Sequence, residues 1–232
     1  MESPNNKWIG SMLKLSITGI VQNGSSALSM FFIQGIINTF GVNEISAYSS
    51  AYKIEGILTM PAVNLGNALC VYVGQNMGAG HWKRTKQGLR DCFKIAVVIT
   101  SMAMIIIWAA APFLLYLVVG DEKEVIRVGV LYLQIISITF PLCVSLYLLT
   151  NFLRGAGEII YPLFNTLLEL SFRTISAFVL ARYLGFIGVL LCRPLSFIVS
   201  TISLSQRYIS GKWRQHCIKK GSDGNRECSE PD

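Results

Sequence analysis

Lys53, Glu55, Glu169, Arg173 and Arg193 are ionisable side chains set inside long apolar runs. A charge in hydrocarbon is costly, so such residues pair with one another, snorkel to the boundary or serve a ligand or ion pathway. Lys53 and Glu55 are two positions apart and point to nearly opposite sides of a helix, so they cannot pair directly. Lys53 lies within snorkelling reach of the interface, whereas Glu55 needs a partner from elsewhere. Glu169 precedes Arg173 by four residues, the favourable order for an intrahelical pair, and mutual neutralisation is the leading expectation. Arg193, immediately before Pro194, has no local acid and no assigned role.

Uncharged polar residues form two further patterns. The first apolar run contains Gln22, Asn23, Ser25, Ser26, Ser29, Gln34 and Asn38. At about 100° per residue, Asn23, Ser26, Gln34 and Asn38 share one broad stripe. The fourth run carries Gln134, Ser137, Pro141 and Ser145, with Tyr147 and Asn151 below. One such stripe reads equally well as interhelical hydrogen bonding or as the wall of a wet cavity. Stripes on two different helices favour a shared cavity, with Gln22, Asn23, Ser26, Gln34, Asn38, Glu55, Gln134 and Ser137 as its candidates. Catalytic chemistry finds no support. His81 and His216 sit in loops, the six cysteines show no CxxC spacing, and no metal set or Ser/His/Asp arrangement forms. The glycines at 74, 78 and 80 do not match a phosphate-binding loop. No enzyme, no metal and no cofactor is expected.

The elements that must position these residues are transmembrane helices. The composition is 52% hydrophobic and only 14% charged, too few charges for a water-soluble surface, where about a quarter is usual. Six apolar runs approach the ~20 residues that cross a bilayer: Met12–Phe40, Ile45–Val73, Phe93–Val119, Val128–Leu153, Ile159–Leu180 and Leu184–Tyr208. Backbone polar groups in lipid must bond internally, and no strand alternation appears, so the runs are helices. Pro61, Pro112, Pro141 and Pro162 are points where those helices can bend. The net charge of +7 could suggest nucleic acid, but the basic residues cluster at run ends, as membrane topology requires. Lys7, Lys14, Lys83, Arg84, Lys86, Arg90, Lys94, Arg154, Arg207 and the Lys/Arg residues beyond 210 fall on one side; Lys123, Arg127 and Arg182 fall on the other. That asymmetry predicts a multi-pass plasma-membrane protein with both termini cytoplasmic. Residues 1–11 form a cytoplasmic N-terminal segment, 12–209 the six-helix unit, and 210–232 a polar tail expected to be disordered. The stretch from Gln75 to Arg90 is expected to carry a short amphipathic helix lying on the membrane surface.

Short motifs carry the reading further. Gln22-Asn23, Phe40-Gly41 with Ala47-Tyr48, Lys53-Ile54-Glu55 with Met60-Pro61, and Gly74-Gln75-Asn76 with Gly78-Ala79-Gly80 follow one another along the chain. Arg154-Gly155-Ala156-Gly157 with Pro162, then Arg173, Gly185-Phe186-Ile187-Gly188 and Pro194-Leu195-Ser196 complete the series. In this order they resemble the multidrug and toxic compound extrusion (MATE) transporters, whose fold has twelve helices in two six-helix lobes. The pieces here look like the second lobe. The resemblance implies efflux of organic, often cationic, compounds driven by inward Na⁺ or H⁺, with two lobes rocking about a site near the bilayer midplane. A first six-helix lobe or a second copy of this chain would then be the partner, beside the lipid bilayer and a small organic substrate. Some branches of that family place an acidic cation ligand in the helix corresponding to the first run, where this chain has Asn23, Ser25 and Ser26, so the coupling ion stays unassigned. A lipid-linked oligosaccharide flippase of the same superfamily, using Lys53, Arg173 and Arg193, and a non-transporting membrane remnant are the alternatives.

Overall fold

The computed structural model describes residues 6–211 and Trp213, with side chains described from residue 17. Seven helices account for nearly all of them: α1 (Asn6–Ile37), α2 (Val42–Gly78), α3 (Trp82–Val119), α4 (Lys123–Ile138), α5 (Phe140–Gly155), α6 (Ile160–Leu184) and α7 (Phe186–Ile209). Five are long and apolar enough to cross a membrane. The bent pair α4–α5 makes a sixth crossing if counted as one. The protein is thus an all-α, multi-pass integral membrane protein.

The fourth run, Val128–Leu153, is bent next to Pro141, one of the four prolines at which bending was expected. It breaks at Thr139, and α4 and α5 meet at 53°. Pro141 explains the break locally: it has no N–H to give the preceding turn, and its ring crowds the carbonyl four residues back. It sits instead in the first turn of α5, where a missing donor costs nothing. The Thr139 hydroxyl donates to the Ile136 carbonyl at 2.7 Å, satisfying an acceptor at the end of α4.

The connection from α2 to α3 differs from expectation, because no separate surface helix occupies Gln75–Arg90. Gln75–Gly78 form the last turn of α2, Gly80 turns the chain at φ 76°, and Trp82 already opens α3. With 38 residues, α3 is about 57 Å long, far more than the ~30 Å hydrocarbon layer. Its basic first turns simply project beyond it.

Buried positions on α2 recur at Ala47, Ala51 and Glu55, then Ala62, Gly66, Leu69 and Val73. This three-and-four spacing is one helix face, and its small residues let neighbours approach closely, as packing between membrane helices demands. At the far end of the seam the chain tolerates only glycine: a Cβ on Gly155 would stand 2.5 Å from the Cys70 carbonyl oxygen. Two groups of helices result. α2 packs on α3, α4 and α5, while α6 packs on α7 and α1. The groups meet mainly through α7 against α5, and α1 makes its chief contact with α6 rather than with its chain neighbour α2. The space left between the groups is the cavity described below.

Where the chain re-enters past α7, Trp213 is buried against Phe152, Tyr208 and Trp82. The tail expected to be disordered lies, from residue 214 onward, outside the described residues.

Candidate functional site

Glu55 is drawn inside because it continues the Ala47–Ala51 face of α2, and it is only 2% exposed. Lys53, on the other side of the same helix, is exposed. The missing partner of Glu55 comes from a distant helix. Arg193 of α7 forms an ion pair with Glu55 Oε2. The Tyr132 hydroxyl of α4 donates to the same oxygen at 2.7 Å and accepts from Arg193 Nη1 at 3.0 Å. The guanidinium also lies 5.3 Å from the Tyr52 ring centroid and 5.6 Å from that of Phe197, within cation–π range. Arg193, unassigned from the sequence, is therefore the counter-ion of Glu55. Together they tie α2, α4 and α7.

Beside this cluster opens a cavity of about 660 Å³, a size that suits a small organic molecule. Its walls come from α1, α2, α5, α6 and α7, and two polar rungs join α1 to α6. At one rung Gln22 donates to Thr166 Oγ1 at 2.8 Å and accepts from Arg154 Nη2 of α5. At the other, Ser29 contacts Thr174 at 3.0 Å and accepts from Arg173 Nη2 at 3.0 Å. Gln22 and Ser29 are two helical turns apart, so the rungs are separated by about 10 Å. Glu169 faces the same cavity from between them.

The expected Glu169–Arg173 ion pair does not form. Among the described residues neither takes part in an ion pair. Arg173 reaches across to Ser29 instead, leaving its buried Nε without a partner. Among the described residues, Arg154 likewise has only the neutral Gln22 as hydrogen-bond partner.

The two polar stripes are divided by the fold. Gln22, Asn23 and Ser26 line the cavity. Gln34 and Asn38 lie beyond it toward the opposite end of α1, where Gln34 donates to Asn38 at 3.1 Å. Gln134 and Ser137 also lie outside it: Ser137 is fully buried, accepts from Trp108 Nε1 at 3.1 Å and donates to the Gln134 carbonyl at 2.8 Å. The break at Thr139 explains this, since it separates them from Tyr147 and Asn151, which do line the cavity. Glu55 stands behind the wall, reaching the cavity only through Arg193.

Arg154, Asn165, Thr166 and Asn67 line the cavity and were not among the sequence candidates. Tyr147, Asn151 and Arg154 do recur at helical spacing, and that periodicity could have marked Arg154 as more than a topogenic charge.

The fold is a helical lobe of membrane-crossing length with a cavity lined by polar, charged and apolar side chains. The sequence matches the MatE family model over residues 15–179, and the chain belongs to that family of transporters. Two Bacillus subtilis (strain 168) proteins, described as probable multidrug resistance proteins YpnP and YoeA, are 27% and 24% identical to it. Each alignment covers 90% of this chain but only 47% and 45% of the relative. A crystal structure of MATE in the bent conformation superposes with a TM-score of 0.82 at 21% identity, over 96% of this chain and 49% of the other. That likeness concerns the fold. The chain spans about half the length of the curated relatives it matches.

Proposed function

We propose that this chain acts as one lobe of a secondary active exporter of small organic compounds. The observation that carries this reading is the cavity of about 660 Å³ inside the helical bundle, walled by Gln22, Asn23, Ser26, Glu169 and three arginines. Intramembrane polar side chains facing a shared space are costly unless they serve a pathway. The names of the half-matched relatives, probable multidrug resistance proteins, point the same way.

In this proposal the lobe rocks against a second six-helix lobe, either a separate segment or another copy of the chain. Inward Na⁺ or H⁺ drives the movement by antiport. Both termini face the cytoplasm of a plasma membrane, because the basic turns at 83–90, Arg154 and Arg207 all gather at one end of the bundle.

Transport in proteoliposomes tests it. The chain is reconstituted alone and together with the first lobe of YpnP, and efflux of a fluorescent organic dye is followed under an imposed Na⁺ or proton gradient. Gradient-dependent efflux that requires either the added lobe or self-association is expected. No gradient-dependent efflux under either condition would remove the transporter reading.

A further inference from the structure

The basic first turns of α3 take no part in the cavity wall, yet their arrangement on the helix is ordered. Lys83, Lys86, Arg90 and Lys94 are all exposed and recur at three- and four-residue spacing. They stand on one side of the helix, within an arc of about 80°. The same ridge continues through Val97, Ser101 and Ile105, which are exposed as well. The buried positions of α3, Thr85, Leu89 and Ala96 among them, turn a different side toward the bundle. One ridge of one helix thus passes from cations to lipid-facing side chains without a break.

The change falls at the membrane boundary. From Ile95 to Val119 α3 holds no charged residue, and this stretch is about 37 Å long, enough to cross the ~30 Å hydrocarbon layer. Lys94 therefore stands at the boundary, with Arg90, Lys86 and Lys83 about 6, 12 and 17 Å farther out along the axis. The headgroup layer adds about 5–7 Å on each side, so Lys94 and Arg90 lie within it. Lys86 and Lys83 stand beyond it, within about a Debye length of its surface. Arg90 makes no ion pair among the described residues. Lys94 meets Asp91 at 3.0 Å, but both are exposed, and such a pair is worth little.

We propose that this ridge binds the headgroup phosphate of an anionic phospholipid, with Arg90 and Lys94 as its ligands and Lys86 and Lys83 adding attraction from farther out. The acyl chains lie along Val97 and Ile105, on the same side of the helix. Charge complementarity selects an acidic lipid. The apolar continuation selects a lipid over free phosphate, which gains nothing from Val97 and Ile105. The rule that gathers Lys and Arg on one side of a membrane governs insertion and by itself asks for no bound lipid in the folded protein. The inference needs only the membrane crossing of α3 and is independent of what the cavity transports.

Lipid binding to the purified full chain in detergent tests it, read by native mass spectrometry in separate titrations with dioleoylphosphatidylglycerol and dioleoylphosphatidylcholine. At about five-fold per cation near the surface, the anionic lipid is expected to bind at least about ten-fold more tightly. Arg90→Gln/Lys94→Gln should remove most of that preference, and Lys83→Gln/Lys86→Gln less of it. Arg127→Gln, at the opposite end of the bundle, should remove none. The charge-retaining Arg90→Lys/Lys94→Arg should keep it. All these positions are exposed and Gln is a good helix former; should a double variant still weaken the fold, added salt on the unaltered chain reads the same contact as a falling preference.

Equal affinity for the two lipids, or a preference that survives Arg90→Gln/Lys94→Gln, would overturn the proposal. Equal losses from the inner pair, the outer pair and Arg127→Gln would replace it with diffuse charge attraction. Displacement of the bound lipid by inorganic phosphate alone would overturn the lipid as occupant in favour of a free anion.

Discussion

Arg193 on α7 pairs with Glu55 on α2 across a separation of 138 residues, and Tyr132 on α4 completes the contact by donating to the same carboxylate oxygen. Lys53 points away from Glu55 on α2 and α7 carries no acid, so the ion pair links the helices through residues that have no partner on their own helix. Removing one partner strands the other in a low-dielectric interior, which costs about 3–5 kcal/mol. Glu55→Gln and Arg193→Met should each lower thermal stability in detergent by that order. The double variant Glu55→Gln/Arg193→Met should recover much of the loss. Additive losses in the double variant would show that the pair is not a unit. Tyr132→Phe, which leaves the ion pair intact, should cost less than either single charge removal.

A second buried pair closes the basic end of the bundle. Arg207 Nε donates to Glu158 Oε1 at 2.6 Å, and the guanidinium lies 4.9 Å from the Tyr161 ring. Glu158 is 2% exposed and its other oxygen has no partner. Arg207→Gln should therefore destabilise the fold more than Glu158→Gln/Arg207→Gln does, because only the single variant leaves an unpaired buried carboxylate. Hydrogen exchange at the α5–α6 turn, residues 156–159, reads the same event as faster exchange. Unchanged exchange there would separate the pair from the turn.

Gly155 sits where α5 meets the backbone of α2. Its Cβ position would lie 2.5 Å from the Cys70 carbonyl and 2.9 Å from Val73 Cβ, atoms that cannot rotate away. Gly155→Ala should force the helices apart and cost about 1–3 kcal/mol, as overpacking does. Thermal unfolding in detergent measures it. A variant as stable as the parent would mean that α5 shifts freely on α2.

The bend between α4 and α5 depends on Pro141. Pro141→Ala restores a backbone donor and removes the ring clash, so the break at Thr139 should straighten from its 53°. Spin labels at Val128 on α4 and Thr150 on α5, measured by pulsed electron resonance, should move farther apart. A distance that does not change would assign the bend to packing around Thr139 instead.

Much of the architecture was legible in the chain. Apolar run length, the scarcity of charge and the placement of Lys and Arg depend on the bilayer as a solvent, and that solvent acts on each segment separately. Local patterns therefore sufficed for six crossings, for the helical class, and for the opposite fates of Lys53 and Glu55 on one helix. The ordered motifs from Gln22-Asn23 to Pro194-Leu195-Ser196 were enough to indicate half of a MATE fold, and the family match bears that out.

Partnership and enclosure were decided only in three dimensions. The sequence favoured Glu169 as the mate of Arg173 because they are one turn apart, but one turn is merely permission to meet. Ser29 of α1 lies within reach of Arg173, and the long side chain takes that contact. Glu55 and Arg193 find each other because the seam of α2 and the packing of α7 bring them together, a juxtaposition no local spacing encodes. Likewise Gln134 and Ser137 share a helical stripe on paper with residues that the break at Thr139 turns away. Periodicity reports which face of a helix is polar. Whether that face meets a cavity, a tryptophan donor or a charged partner depends on which helices pack beside it. Here the looseness between α1 and α2 is what opens the site.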